Sequence, residues 1–262
     1  MKLSVQGLAP FLNKPDIPNK IIVHDVLGST NEHAKELARS GTEHGTIVIA
    51  ERQTDGKGRH GRKFFSPPGH GIYMSLILDP KSLCFPQMLT TPFAAVAVCE
   101  AIEAVSDTRP LIKWVNDILI DRKKVCGILT EAVILPNDSR SQMLVLGIGI
   151  NFSVPETGFP EDLSRIAGSV FMSPDPPVTR EVLAAEIINR VLDPREMRDS
   201  RGIIREYKRR LMMIGEKIMV IGMGESYGAK AIDIDDAGRL IVENSSGELI
   251  FLSSGEISVR NI

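Results

Sequence analysis

Apolar residues in this chain gather into short runs separated by polar turns. Runs rich in β-branched residues at 21–27 (IIVHDVL), 46–53, 72–78, 111–115, 118–120, 125–133 and 143–150 predict strands, with residues 121–124 as the polar turn between two of them. Helical spacing appears at 29–40, where Ala34, Leu37 and Ala38 share a face, and again at 180–192 and 202–211. Ser29 and Glu32 have the spacing of a capping box, and Gly41 follows as a stop. Residues 86–105 read as a long, buried apolar helix. The stretch before residue 20 carries Pro10, Pro15 and Pro18 and reads as an arm. From Gly215 the texture changes to short strands with turn signals at 222–224, 236–238 and 245–247. That predicts a small β-meander or barrel of about fifty residues. The element order is α+β and lacks the strand–helix repeat of a doubly wound dinucleotide fold.

Composition narrows the picture. With 262 residues, 43% hydrophobic and 24% charged, the chain can bury one large core and a small one. A formal net charge of −2 gives no reason to expect nucleic acid. No apolar run is read as reaching membrane-spanning length, and no secretion leader is seen, so the cytoplasm is expected. Cys84, Cys99 and Cys126 are odd in number and lack metal-ligand spacing. They read as free buried thiols. The five histidines form no zinc pattern.

Four stretches carry candidate chemistry. In residues 53–62 (QTDGKGRHGR), glycines allow close backbone approach while Lys57, Arg59 and Arg62 supply positive charge. This suits a phosphate, or a carboxylate meeting one, and equally a solvated loop. It is neither a Walker loop nor a dinucleotide fingerprint. Residues 113–117 (KWVND) hold the only tryptophan. Lysine, asparagine and aspartate there could bind phosphate and recruit magnesium, or form a solvated strand end. In 123–129 (KKVCGIL), a strand-edge lysine could stabilise developing negative charge, or mark a charged hairpin tip. The glycines of 146–151 (LGIGIN) fit close approach by a ligand, or by a packed helix.

Taken in order, Ser29-Thr30-Asn31, QTDGKGRHGRKFFSP, KWVND, KKVCGIL and GIGIN resemble the biotin protein ligase series from about residue 21 to 152. The resemblance implies a class II synthetase-like mixed β-sheet with helices (residues 1–213, binding biotin and ATP) and a C-terminal SH3-like barrel (214–262). It implies activation of biotin with ATP to biotinoyl-5'-AMP, then transfer to a lysine of a biotin carboxyl carrier protein. Ser29, Thr30, Asn31 and Gln53 would meet the polar end of biotin. Gly56, Lys57 and Arg59 would cover it, and Lys124, Gly127, Gly147 and Gly149 would line its pocket. Arg59, Arg62, Phe64, Lys113, Asn116, Asp117, Lys124 and Asn151 would meet ATP, with Asp117 near a magnesium ion. Lys124 and Arg59 would be catalytic. Lys124 is preferred to Lys123 because it lies three residues before Gly127.

The chain departs from the family pattern at three positions. Val115 replaces a usual proline, Lys57 a frequent arginine, and Phe64 a tryptophan that can stack on the base. Members of the family often pair through the central sheet. The rival readings are a lipoate–protein ligase of related fold, a biotin-sensing repressor, for which the residues before the first strand are too few to form a DNA-binding module, and a biotin-binding module without catalysis.

Overall fold

The computed structural model describes residues 2–136, 138–173, 175–193, 199–221, 226–253 and 256–258. Seven of the apolar runs form one sheet: β1 (Ile21–Leu27), β2 (Ile47–Gln53), β3 (Gly71–Leu78), β4 (Leu111–Lys113), β5 (Asp117–Ile120), β6 (Lys123–Leu135) and β7 (Asp138–Asn151). Their order is β1-β2-β3-β7-β6-β5-β4. β1 and β2 are parallel, and every other neighbouring pair is antiparallel.

The period-two pleat sorts side chains between two faces. Ile72, Met74, Leu76 and Leu78 of β3, with Leu144, Leu146, Ile148 and Ile150 of β7, point into the main core. That face is covered by α1 (Val5–Leu8), α3 (Thr90–Val105), α4 (Arg180–Leu192) and α5 (Ser200–Arg210). On the other face, α2 (Thr30–Arg39) sets Ala34 and Ala38, one helical turn apart, onto Val48, Ile77, Val133 and Val145. This small cluster occupies one end of the face. The other end holds the candidate site.

Several expectations are corrected. The stretch before β1 is no arm. Leu3, Leu8 and Ile17 are buried, and Pro10 and Pro18 sit in the first turns of short 3-10 segments, where a missing N–H costs nothing. Asn189 clamps this region, accepting from Asn13 N (2.9 Å) and donating to Phe11 O (2.8 Å). The residues Gln87–Val105 do have the length and composition of a membrane span. Here they are mostly core: α3 buries eleven residues from Thr90 to Ile102. Ser29 is the N-cap of α2 by its backbone, but its side chain makes no capping bond, so the expected capping box does not form. Gly41 ends the helix region at φ +88°, as expected.

The C-terminal strands β8 (Lys217–Ile221), β9 (Ser226–Ile234), β10 (Leu240–Asn244), β11 (Leu249–Leu252) and β12 (Glu256–Ser258) form a second, antiparallel sheet in the order β11-β10-β9-β8-β12. The expected turns at 236–238 and 245–247 are present, with Gly238 and Gly247 at positive φ. The turn expected at 222–224 lies outside the described residues. The β9–β10 turn seats on the larger unit. Trp114 Nε1 donates to Gly238 O (3.0 Å), and Gly238 faces Leu89 and Pro92.

Candidate functional site

Strand register lines up one row across five strands: Tyr73 (β3), Gly149 (β7), Gly127 (β6), Asp117 (β5) and Lys113 (β4). The next row runs Ser75, Gly147, Leu129. Glycines at the middle of both rows leave bare backbone, and α2 covers only the far end of the face. The result is a cleft of about 450 Å³ with a glycine floor. A Cβ on Gly147 would stand 2.0 Å from Asn31 Oδ1, and one on Gly149 would stand 2.7 Å from the Phe64 ring. These glycines are therefore required by close approach to side chains from α2 and the basic loop.

Lys124 reaches this face through a bulge. Strict alternation from Gly127 would aim Val125 at the cleft and Lys124 into the core. The β5–β6 register instead jumps from Ile118–Cys126 to Leu119–Lys124, leaving Val125 as the extra residue. Val125 is fully buried, and Lys124 Nζ lies 2.6 Å from Asp117 Oδ1 in the cleft. The Lys124 backbone is fixed on its other side, where its N–H donates to Ile166 O (2.7 Å) and its carbonyl accepts from Gly168 N (2.9 Å).

The basic loop forms a hairpin over the cleft. Gly58 N donates to Arg62 O and Phe64 N to Gly56 O, both at 2.8 Å. Arg59 extends to the opposite wall, where Nη1 donates to Asn116 Oδ1 (3.2 Å), and Asn116 in turn donates to Ile128 O (2.8 Å). One acid offsets part of the positive charge of this loop. Asp55 pairs with Lys57, and with Lys63 at 3.6 Å. The Lys57 hydrogen bond holds the Asp55 carboxyl below its ordinary value.

At the polar end Thr30, Asn31, Gln53, Ser66 and Ser75 form one hydrogen-bonded group. Gln53 Oε1 accepts from Thr30 N (2.8 Å) and Thr30 Oγ1 (3.1 Å), and Gln53 Nε2 donates to Ser66 Oγ (2.9 Å). Ser75 Oγ, fully buried, shares its single proton between Thr30 Oγ1 (2.8 Å) and Asn31 Oδ1 (2.6 Å).

Of the residues singled out by sequence, all but Gly56 line this one cleft. Gly56 lies behind it, where a Cβ would meet Phe64 O at 2.6 Å. Phe64, expected on the ATP side, lines the cleft with its ring over Gly127 and Gly149, edge-on to Tyr73. The Asn151 amide is directed to the carbonyls of Gly168 (2.9 Å) and Lys124 (3.4 Å). Arg122, Phe159, Leu163, Arg165 and Ile166 also line the cleft, and sequence reading missed them. Arg122 sits in the hairpin turn with φ +63°, and the other four belong to an irregular segment without periodicity. Cys99 and Cys126 are buried free thiols, and burial pushes Cys99 up to about 12 and Cys126 well above its ordinary value. Cys84 is exposed, against expectation.

Residues 23–151 match the model of the Biotin/lipoate A/B protein ligase family, and residues 213–260 match that of the Biotin protein ligase C terminal domain. The chain is 35% identical over 251 residues to the bifunctional ligase/repressor BirA of Bacillus subtilis, covering 94% of this chain and 76% of that protein. It is 31% identical over 238 residues to the biotin–acetyl-CoA-carboxylase ligase of Paracoccus denitrificans, covering 85% of this chain and 93% of that one. The structure of biotin protein ligase from Aquifex aeolicus in complex with biotin and ATP is similar with a TM-score of 0.74 at 28% identity, covering 92% of this chain and 98% of that one. The chain belongs to the biotin protein ligase family.

Proposed function

We propose that this chain joins the biotin carboxylate to the α-phosphorus of ATP, releases pyrophosphate, retains biotinoyl-5'-AMP, and passes the acyl group to a lysine of a carrier protein as AMP leaves. One observation carries the reading. A single glycine-floored cleft joins a neutral hydrogen-bonding end (Ser29, Thr30, Asn31, Gln53) to a cationic end (Arg59, Lys113, Lys124). The neutral end suits the ureido group of biotin. Phe64, over Gly127 and Gly149, supplies an apolar wall for the ring and chain between.

The first step brings two anions together, so charge repulsion is the main barrier. Lys124, held in place by Asp117, and Arg59, anchored on Asn116, supply preorganised positive charge where the transition state gathers negative charge. No covalent enzyme intermediate is needed. Among the described residues no group of three His, Cys, Asp or Glu stands together as a metal site. Asp117 offers one carboxylate, shared with Lys124, which suits magnesium arriving on the triphosphate as part of the substrate. The mixed anhydride must then be kept from water, and the 54–64 hairpin is placed to cover it.

The domain boundary is drawn at 213/214, beside Gly215 at φ +87°, where the chain passes into the second sheet. The names of the relatives favour a biotin carboxyl carrier domain as acceptor. Pairing of two copies through the central sheet is a family trait to be read by analytical ultracentrifugation, and the cytoplasm is the compartment that suits the free thiols.

ATP–pyrophosphate exchange tests the whole reading. Exchange should require biotin and fail with lipoate or octanoate. Equal exchange with lipoate would transfer the assignment to the lipoate ligases, and biotin binding without exchange would make the chain a binding module.

A further inference from the structure

Glu131 lies on β6 outside the cleft lining. Its Oε1 accepts from Lys35 Nζ (2.6 Å), which also bonds Glu32 (2.9 Å). Its Oε2 accepts from Asn31 Nδ2 (2.9 Å). The same amide nitrogen faces Leu129 O at 3.3 Å. Both partners can only accept, so the NH₂ group of Asn31 must face them, and Oδ1 must face Ser75. Asn31 also lies flush on the floor of the cleft, since no Cβ fits on Gly147 beside it. A continuous chain of hydrogen bonds thus runs from Lys35 through Glu131, Asn31 and Ser75 to Thr30 and Gln53.

We propose that Glu131 is a positioning residue for biotin recognition: it fixes the orientation of the Asn31 amide and, through Ser75, the hydrogen-bond polarity that Thr30 presents to the ligand. Without the carboxylate, the Leu129 carbonyl at 3.3 Å is what still holds the Asn31 NH₂ group on that side. The amide is then free to turn over and offer NH₂ to Ser75. The Ser75 hydroxyl must answer as acceptor there and direct its proton wholly at Thr30. The polar end keeps its residues but loses its pattern of donors and acceptors. This inference rests on the assignment of that end of the cleft to biotin.

Pyrophosphate exchange on the full chain separates the two ideas. Glu131→Ala should raise KM for biotin about tenfold, the scale of one charged hydrogen bond, with kcat and KM for ATP changed by less than about twofold. Glu131→Gln keeps an acceptor toward Asn31 and should stay within about threefold of the parent. In an Asn31→Ala background, adding Glu131→Ala should change KM for biotin by less than about twofold, because the two act through one contact. If Thr30→Ala raises KM for biotin while Glu131→Ala does not, the positioning role is overturned. If Thr30→Ala leaves it unchanged, the fault lies in the assignment of the polar end. If Glu131→Ala and Glu131→Gln both lower kcat and raise KM for ATP and biotin alike, Glu131 serves stability only, and the proposal fails.

Discussion

Replacing Glu51 by alanine removes one half of a buried ion pair that ties four segments together. Glu51 comes from β2, with its side chain 7% exposed, and Arg180 from the start of α4, at 5%. Glu51 Oε1 accepts from Arg180 Nη2 (3.0 Å) and Gly69 N (2.7 Å), and its Oε2 from Leu3 N (3.3 Å). Arg180 Nη1 donates to Gly71 O (3.0 Å). Removing the carboxylate takes the Glu51 charge away from a buried guanidinium and the acceptor from two backbone N–H groups. Breaking such a pair costs about 3–5 kcal/mol. At about 2–4 °C per kcal/mol for a chain of this size, Tm should fall by about 6–20 °C. Circular dichroism melts and urea titration would measure it. The pair also brackets Gly69 to Gly71, the exit from the basic loop into β3. Tryptic cleavage at Lys57, Arg59, Arg62 and Lys63 should therefore accelerate in Glu51→Ala below its melting range. Paired replacement of Glu51 and Arg180 by leucine and methionine should recover only part of the loss: it removes the buried charge, but Gly69 N–H, Leu3 N–H and Gly71 O still lose these partners. A loss under about 1 kcal/mol in the single variant would place this contact with exposed pairs and refute the argument.

Lys124→Ala should slow adenylate formation by about two to three orders of magnitude, the scale of one preorganised charge stabiliser, while exposed Lys123→Ala should do far less; equal losses would mean the bulge does not select Lys124. Gly147→Ala drives a methyl group into the Asn31 amide, so KM for biotin should rise at least about tenfold, and an unchanged KM would show that the floor can yield. Cleavage of the 54–65 loop by trypsin should be fast in the free protein, slower with biotin and slowest with biotin plus MgATP; equal rates would end its gating role. Burial alone would raise the Asp235 carboxyl, but hydrogen bonds from the Arg239 backbone and side chain and from Ala237 N outweigh it and hold the group below 3.8. A carboxyl depressed in the folded state stabilises above its unfolded pKa and loses that contribution as pH falls through its folded one. Asp235→Asn should therefore be less stable than the parent near about pH 7, with the gap narrowing below about pH 4 in thermal melts; a constant gap would contradict this.

Local pattern carried far in this sequence, because strands with one buried face and glycines with a motif are written in consecutive residues. β1, β3 and α4 begin and end within one residue of where their apolar runs do. The cleft residues were legible as motifs, but their geometry was not. Nothing in KKVCGIL announces that Val125 is the extra residue that turns Lys124 to the cleft; that depends on the partner strand. Glu51 and Arg180 lie far apart in sequence, and only a lone acid in an apolar run hinted at the pair. The prolines before β1 were read as breakers, although Pro10 and Pro18 suit a first turn once Leu8 and Ile17 have a core to enter. Phe64 was legible as a cleft aromatic, but its seat over the bare backbone of Gly127 and Gly149 depends on the register of β6 and β7.

Trp114 is the only tryptophan of the chain, 3% exposed, bonded to the β9–β10 turn and two residues from Asn116. Indole emission shifts with the polarity around the ring and with loss of a hydrogen bond at Nε1. The chain therefore carries a built-in optical probe at the joint between its two sheets. Its emission should stay blue-shifted while the C-terminal sheet is seated and move to the red when that sheet lifts away, even if the larger core remains folded. If the proposed nucleotide site is right, a nucleotide settling against Asn116 and Asp117 would be read by the same ring, and an unlabelled titration would follow its binding and the seating of the second sheet in a single signal.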